Sequence, residues 1–226
     1  NPEVRNVTLI NERATIGHMY KWAMEKGYVN QSQIPVWSEI RKIVAYRNAM
    51  QREEYRVLYT YLRNWHKNLD NEREVYERQL VRDFILILAN TGMRFGEARR
   101  IKWNFVQVKK SPPSNDGRTN YPNVHIRIPA ELSKVRKDRT AIGMRGDIFG
   151  RIKTYSKHKH PQDFVFAGFD TGEAVSKKTL YRLWDVIRAE SGITEFPEDY
   201  TYYSLRHTYA TYRLQLGNVD VFTLSK

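Results

Sequence analysis

The 226-residue chain has 38 lysines and arginines against 25 aspartates and glutamates, a formal charge of +13, with 41% hydrophobic and 13% aromatic residues. That is enough apolar material for one sizeable domain, or one domain and part of another, and it excludes a disordered polyelectrolyte. The absence of cysteine excludes a disulfide framework and a thiolate metal site. The longest apolar run, Phe84 to Ala89, is too short to cross a bilayer, and no secretory leader is expected. A folded chain this basic usually faces a polyanion, nucleic acid first, although a solvated basic surface would give the same charge. Residue 1 is Asn, which suggests part of something longer.

In chain order, Ile16, Met19, Tyr20 and Ala23 repeat at i, i+3, i+4 and i+7, which predicts an amphipathic helix ending at Gly27. Residues 28–45, with Pro35, read as linker plus a short helix. A second helix is expected over 51–66, with Tyr55, Leu58, Tyr59 and Leu62 on one face. A third spans about 73–89 and stops at Asn90-Thr91-Gly92. Another begins near Arg94 and carries Ala98 and Ile101 toward Trp103. The texture then changes to strands over 105–109, Val124 to Ile128 and Thr140 to Met144, with a polar turn at 111–120. Phe164 to Phe166 reads as a short extended piece. Ser176 caps a helix whose inner face is Leu180, Leu183, Trp184 and Ile187, and the last helix starts near Tyr203. Met19, Met24 and the Trp residues sit at core-like helical positions. The fold class is mainly α with a small antiparallel β-sheet.

Three stretches put a cation where the local structure is stiff. In TGMRFGE (91–97), Arg94 opens a helix after a glycine turn, where an anion would relieve its conflict with the helix dipole. In SKVRKDR (133–139), Lys134 lies on a strand–strand turn. From Lys134 to Lys159 there are nine Lys or Arg against two Asp, which points to a surface facing DNA. In YSLRHTYAT (203–211), Arg206 projects from a stretch otherwise suited to packing, and a partly buried arginine needs an anionic partner. His158 and His160 suggest a metal pair, but no carboxylate or cysteine is spaced to join them, and a basic loop explains them.

Together these motifs resemble the tyrosine recombinases, which include phage integrases and chromosome-dimer resolvases. TGMRFGEARRIKW is similar to the family's first arginine box, T-G-x-R-x-x-E; SLRHTYAT is similar to its second, H-x-L-R-H-T-x-A-T; SKVRKDRTAIGM is similar to the lysine hairpin between them. The resemblance covers about residues 46–226 as the catalytic domain. It implies that 1–45 holds the last helix of a separate core-binding domain and a linker.

The resemblance implies DNA strand cleavage and rejoining through a 3′-phosphotyrosine. Arg94 and Arg206 would grip the scissile phosphate, and Lys134 would protonate the leaving 5′-oxygen. His207 would support the site, and Glu97 would fix local structure. Tyr203 stands where the family usually has histidine; its phenol donates a hydrogen bond but is a poor base. The nucleophilic Tyr is expected beyond Lys226, which would leave the chain inactive alone. Arg136, Lys137, Arg139, Lys177, Lys178 and Arg182 are the expected DNA contacts. No metal or nucleotide cofactor is called for, because the phosphotyrosine conserves the energy of the broken bond. The expected partners are double-stranded DNA sites and three further copies of the chain in a homotetramer. The expected location is the cytoplasm, on the nucleoid when bound to DNA. A type IB topoisomerase-like enzyme and a non-catalytic DNA-binding protein are the alternatives.

Overall fold

The computed structural model describes residues 6–41, 48–110, 121–193, 200–216 and 219–220. The expected turn at 111–120 lies outside them, as do the last residues of the expected linker. Residues Asn1–Tyr46 and Arg47–Lys226 form two compact units.

The first unit holds helix α1 (Asn6–Glu25) and a 3-10 turn at Gln31–Gln33. Gly27 takes the left-handed φ of 73° expected after a helix end. No α1 residue is buried, however. Met19, Trp22 and Met24 are exposed, so the core-like reading of these side chains is corrected. One helix cannot enclose its own apolar stripe.

In the second unit, helix α3 (Glu72–Thr91) is the axis. From Tyr76 onward its buried residues run around the helix rather than along a stripe, which marks it for enclosure. The Asn71 side chain accepts from the Glu74 N–H at the start, and Gly92, at φ 62°, ends it. Around α3 pack α2 (Arg52–Asn64), α4 (Phe95–Arg99), α5 (Asp147–Tyr155), α6 (Lys177–Glu190) and α7 (Tyr202–Leu216). Phe84 is the hub: its ring lies 5.0 Å from Phe166, 5.5 Å from Tyr202 and 5.6 Å from Phe95, each edge-on.

Helix α5 has no counterpart among the expected elements. Ile148, Phe149 and Ile152 bury one face of its nine residues. A second tie is ionic. Asp83 of α3 is fully buried and accepts from Arg82, from Arg151 of α5 and from the Tyr155 hydroxyl. The expected helix at Ser176 is present, with the Ser176 side chain accepting from the Thr179 N–H at 2.9 Å.

The sheet is antiparallel in the order β1-β2-β3, with β1 at Val106–Lys109, β2 at Asn123–Ile128 and β3 at Arg139–Gly143. Val124, Ile126 and Ile128 alternate into the core. Gly143 sits against the end of α3; a Cβ there would meet Thr91 Cγ2 at 2.8 Å and the Asn90 carbonyl at 3.1 Å. That close approach fixes β3, and therefore the loop before it, beside the α3–α4 junction.

Candidate phosphate-binding site

The spacing of TGMRFGE has a local reason. Gly92 terminates α3, Arg94 is the extended N-cap of α4, and Glu97 is the third residue of that helix. From there the Glu97 carboxylate reaches back to accept the Arg94 N–H at 3.0 Å, half of a capping box. Its other oxygen accepts from Arg94 Nη1 at 2.9 Å. Arg139, the first residue of β3, donates through Nη2 at 2.6 Å to the same carboxylate. Glu97 is 2% exposed, so one buried anion orients two guanidinium groups.

Arg206 arrives from the second turn of α7. Its neighbours Ser204, Leu205 and Thr208 are buried, and its Nη1 donates to the Gly92 carbonyl, two residues before Arg94. Burial first, then the nearby charges of Arg94 and Arg139, hold the Arg206 guanidinium below its usual pKa. The three arginines therefore share one locality with a single buried carboxylate. Gly92 lies beneath the ring of Tyr209, and a Cβ there would meet that ring at 2.3 Å. The α3 terminus, the Arg206 anchor and the α7 backbone thus interlock.

Lys134 belongs to the ten-residue connection between Ile128 and Arg139, which are themselves paired across β2 and β3. The connection is braced from within: Asp138 accepts from the Ala130 N–H at 2.7 Å and pairs with Arg127 at 3.0 Å. Lys134 and Val135 are the central residues of a turn closed by Arg136 N–H on the Ser133 carbonyl at 3.1 Å. Lys134 is exposed and makes no ion pair among the described residues. It thus projects from a braced turn five residues before Arg139, whose head is fixed on Glu97.

Tyr203 is 39% exposed, and its ring meets that of His207 edge-on at 5.0 Å. Arg136 and Lys137 are exposed on the β2–β3 connection, Arg136 at φ 54°. Lys177 and Lys178 are exposed in the first turn of α6, which Arg99 of α4 anchors by donating to the Ala174 and Val175 carbonyls. Arg182 pairs at 2.6 Å with Glu77, which Arg73 also holds, so its charge is compensated in part. His158 rests on Gly172, and among the described residues no group of three or more metal-ligating side chains converges. Nor is any described helix long and apolar enough to cross a membrane.

Sequence reasoning assigned Arg139 to DNA contact and missed its place in the Arg94–Arg206 cluster. A signal existed: it stands at the start of the strand after the lysine loop, where strand alternation turns it to the side of Glu97.

The Phage integrase family model matches residues 48–222. The chain belongs to the phage integrase family. No curated protein sequence matches it. Several solved structures share the integrase fold, among them the following three. The XerH site-specific recombinase bound to difH superposes with a TM-score of 0.63 and 18% identity, covering 95% of this chain and 56% of that one. The Tn1549 transposon integrase in complex with circular intermediate DNA gives 0.63 and 14%, covering 99% and 71%. The lambda integrase tetramer bound to a Holliday junction gives 0.59 and 18%, covering 93% and 55%. The chain therefore spans little more than half of the XerH and lambda integrase chains, and at such identities the likeness is one of fold.

Proposed function

We propose that this chain acts in site-specific recombination or integration of DNA, breaking and rejoining strands through a 3′-phosphotyrosine. The observation that supports this most is the convergence of Arg94, Arg139 and Arg206 around one buried carboxylate at the α3–α4 junction. Three guanidinium charges against one carboxylate leave a surplus of positive charge, and a phosphodiester is the anion whose charge grows in the transition state of transesterification.

In the proposed reaction a tyrosine hydroxyl attacks the scissile phosphorus, its proton passing to water, and the bond from phosphorus to the 5′-oxygen breaks. Arg94 and Arg206 hold the non-bridging oxygens, and Lys134 gives its proton to the departing 5′-oxygen. The free 5′-hydroxyl of a partner strand reverses the step. Tyr203 donates a hydrogen bond to the phosphate, and His207 supports it through their edge-on contact. Arg136, Lys137, Lys177 and Lys178 meet the duplex backbone.

The nucleophile is proposed to lie beyond Lys226. The phenols of α7 have other duties: the Tyr209 hydroxyl faces the Ile142 carbonyl at 3.5 Å, and that of Tyr212 faces the Met50 carbonyl at 3.4 Å. In the same reading, residues 1–45 are the end of a core-binding domain, and four copies assemble on paired sites.

A nicked suicide duplex carrying the recombination site, offered to the protein in its natural full length, tests this. The expected result is a covalent 3′ adduct that Arg206→Ala reduces by about 100-fold or more, with far less loss of DNA affinity. Equal loss of capture and affinity would reduce Arg206 to a binding residue. With two sites in one reaction, exchanged strands support a recombinase and relaxed circles alone indicate a topoisomerase.

A further inference from the structure

A second basic concavity, of about 500 Å3, is lined chiefly by Tyr55, Tyr59, Arg63, Arg82, Arg145 and Arg151. None of these belongs to the Arg94–Arg206 cluster. Four guanidinium groups meet two carboxylates there, and both carboxylates are spent. Asp83 accepts from Arg82 and Arg151 and from the Tyr155 hydroxyl, which uses both of its oxygens. Asp147 takes a bidentate pair from Arg145, both bonds at 2.8 Å. Arg63 is exposed and makes no ion pair among the described residues. Positive charge is left over, and so are donors: Arg145 and Arg151 use only Nε and Nη2, leaving Nη1 without a partner among the described residues.

The guanidinium heads are held in place before any ligand arrives. Asp83 is fully buried and fixes Arg82 and Arg151 from behind. Arg145 is stacked 4.2 Å above the ring of Tyr121. The other wall is aromatic: Tyr55 and Tyr59 meet edge-on at 5.7 Å. Burial pushes the Tyr55 phenol up to about 12, so it remains a neutral donor at physiological pH. A half-open cleft with surplus guanidinium on one side and aromatic rings on the other matches a phosphate attached to a planar base. Its volume falls in the range of small-ligand pockets.

We propose that this cleft binds a nucleoside monophosphate unit, with its phosphate among Arg63, Arg145 and Arg151 and its base on the Tyr55–Tyr59 wall. The unit is either a free nucleotide or the 5′-phosphorylated end of a strand, which present the same chemistry.

Calorimetric titration with AMP, adenosine and inorganic phosphate tests the site. AMP is expected to bind at least about tenfold more tightly than either part alone, because both walls contribute. Arg63→Ala is expected to weaken AMP by about tenfold, the value of one charged hydrogen bond. Tyr59→Ala is expected to weaken AMP while leaving inorganic phosphate unchanged. A 5′-phosphorylated dinucleotide that displaces AMP where its 5′-hydroxyl form does not identifies the strand end as the source; failure of both to displace it identifies the free nucleotide. The proposal is overturned if AMP binds no better than phosphate, or if neither substitution changes its affinity. Arg63 is exposed and Tyr59 half-buried at the edge of the core, so circular dichroism of each variant checks that the fold is kept.

Discussion

Glu97 has two oxygens and three donors, and two of the donors are charged. Replacing it with glutamine keeps the shape and removes the charge, so two anchored guanidinium groups lose their common anion, and one amide hydrogen must face a donor. Removing one partner of a buried pair typically costs 3–5 kcal/mol. Arg94 and Arg139 are 30% and 21% exposed in their side chains, so water screens part of the loss. Glu97→Gln is therefore expected to destabilise the chain by about 2 kcal/mol, read as a lower urea midpoint. In the full-length protein, covalent capture should fall with it, because Arg94 loses its aim. Unchanged stability would mean the carboxylate is not the organiser proposed here. At this scale, much was legible in the sequence. Arg94 stands out because it opens a helix directly after a glycine turn, and Glu97 through its place in the family's first arginine box. Arg206 stands out as a cation in a packing stretch. The part played by Arg139 was only half legible: strand alternation sets its side, but β2–β3 register is what brings it, 42 positions away, onto Glu97.

Local signals also predicted most elements. Gly92 and Ser176 mark helix ends through groups that act within a few residues, and each acts as expected. Helix α5 escaped because it spans nine residues and buries only Ile148, Phe149 and Ile152, too little periodicity to stand out in a basic stretch. Its place depends on Asp83, which no local pattern reveals. At α1 the periodicity predicted the helix, but nothing in that unit encloses its apolar face, so Met19, Trp22 and Met24 stay exposed. In α3, Phe84 touches three other rings and is fully buried. Phe84→Ala should cost about 3–5 kcal/mol, measured by denaturant unfolding. A cost below about 1.5 kcal/mol would show that the hub can collapse around the cavity. Buried phenols give the elements a pH limit as well. Burial raises Tyr55 to about 12 and pushes Tyr155 and Tyr202 well above 10.0. Below pH 10 both folded and unfolded chains keep these protons, so stability is unaffected. As pH rises through the window from 10 to about 12, the unfolded chain sheds protons that the fold retains, and stability falls. Urea melts from pH 8 to 11 should show that loss beginning near 10, and Tyr55→Phe should reduce it, leaving the share of Tyr155 and Tyr202.

For the whole molecule, a charge of +13 says that it meets a polyanion without saying where. The structure sorts the cations by whether they are already paired. Arg127, Arg139, Arg145, Arg151 and Arg182 have carboxylate partners, whereas Lys177 and Lys178 make no ion pair among the described residues. A cation that already holds a carboxylate releases few counterions from DNA, because little of its charge reaches the phosphate. An unpaired lysine at a helix start delivers nearly all of it. Each lysine that contacts phosphate contributes about one unit to the slope of log affinity against log salt. The double substitution Lys177→Ala and Lys178→Ala should therefore lower that slope by about two, with little dependence on sequence. Arg182→Ala should change it by less than one lysine does, because Glu77, which Arg73 also holds, already offsets part of the Arg182 charge. Filter binding of a short duplex over a salt series measures both. If Arg182→Ala lowers the slope as much as either lysine change, the ion pair with Glu77 opens on DNA, and the basic surface extends along α6 beyond its first turn.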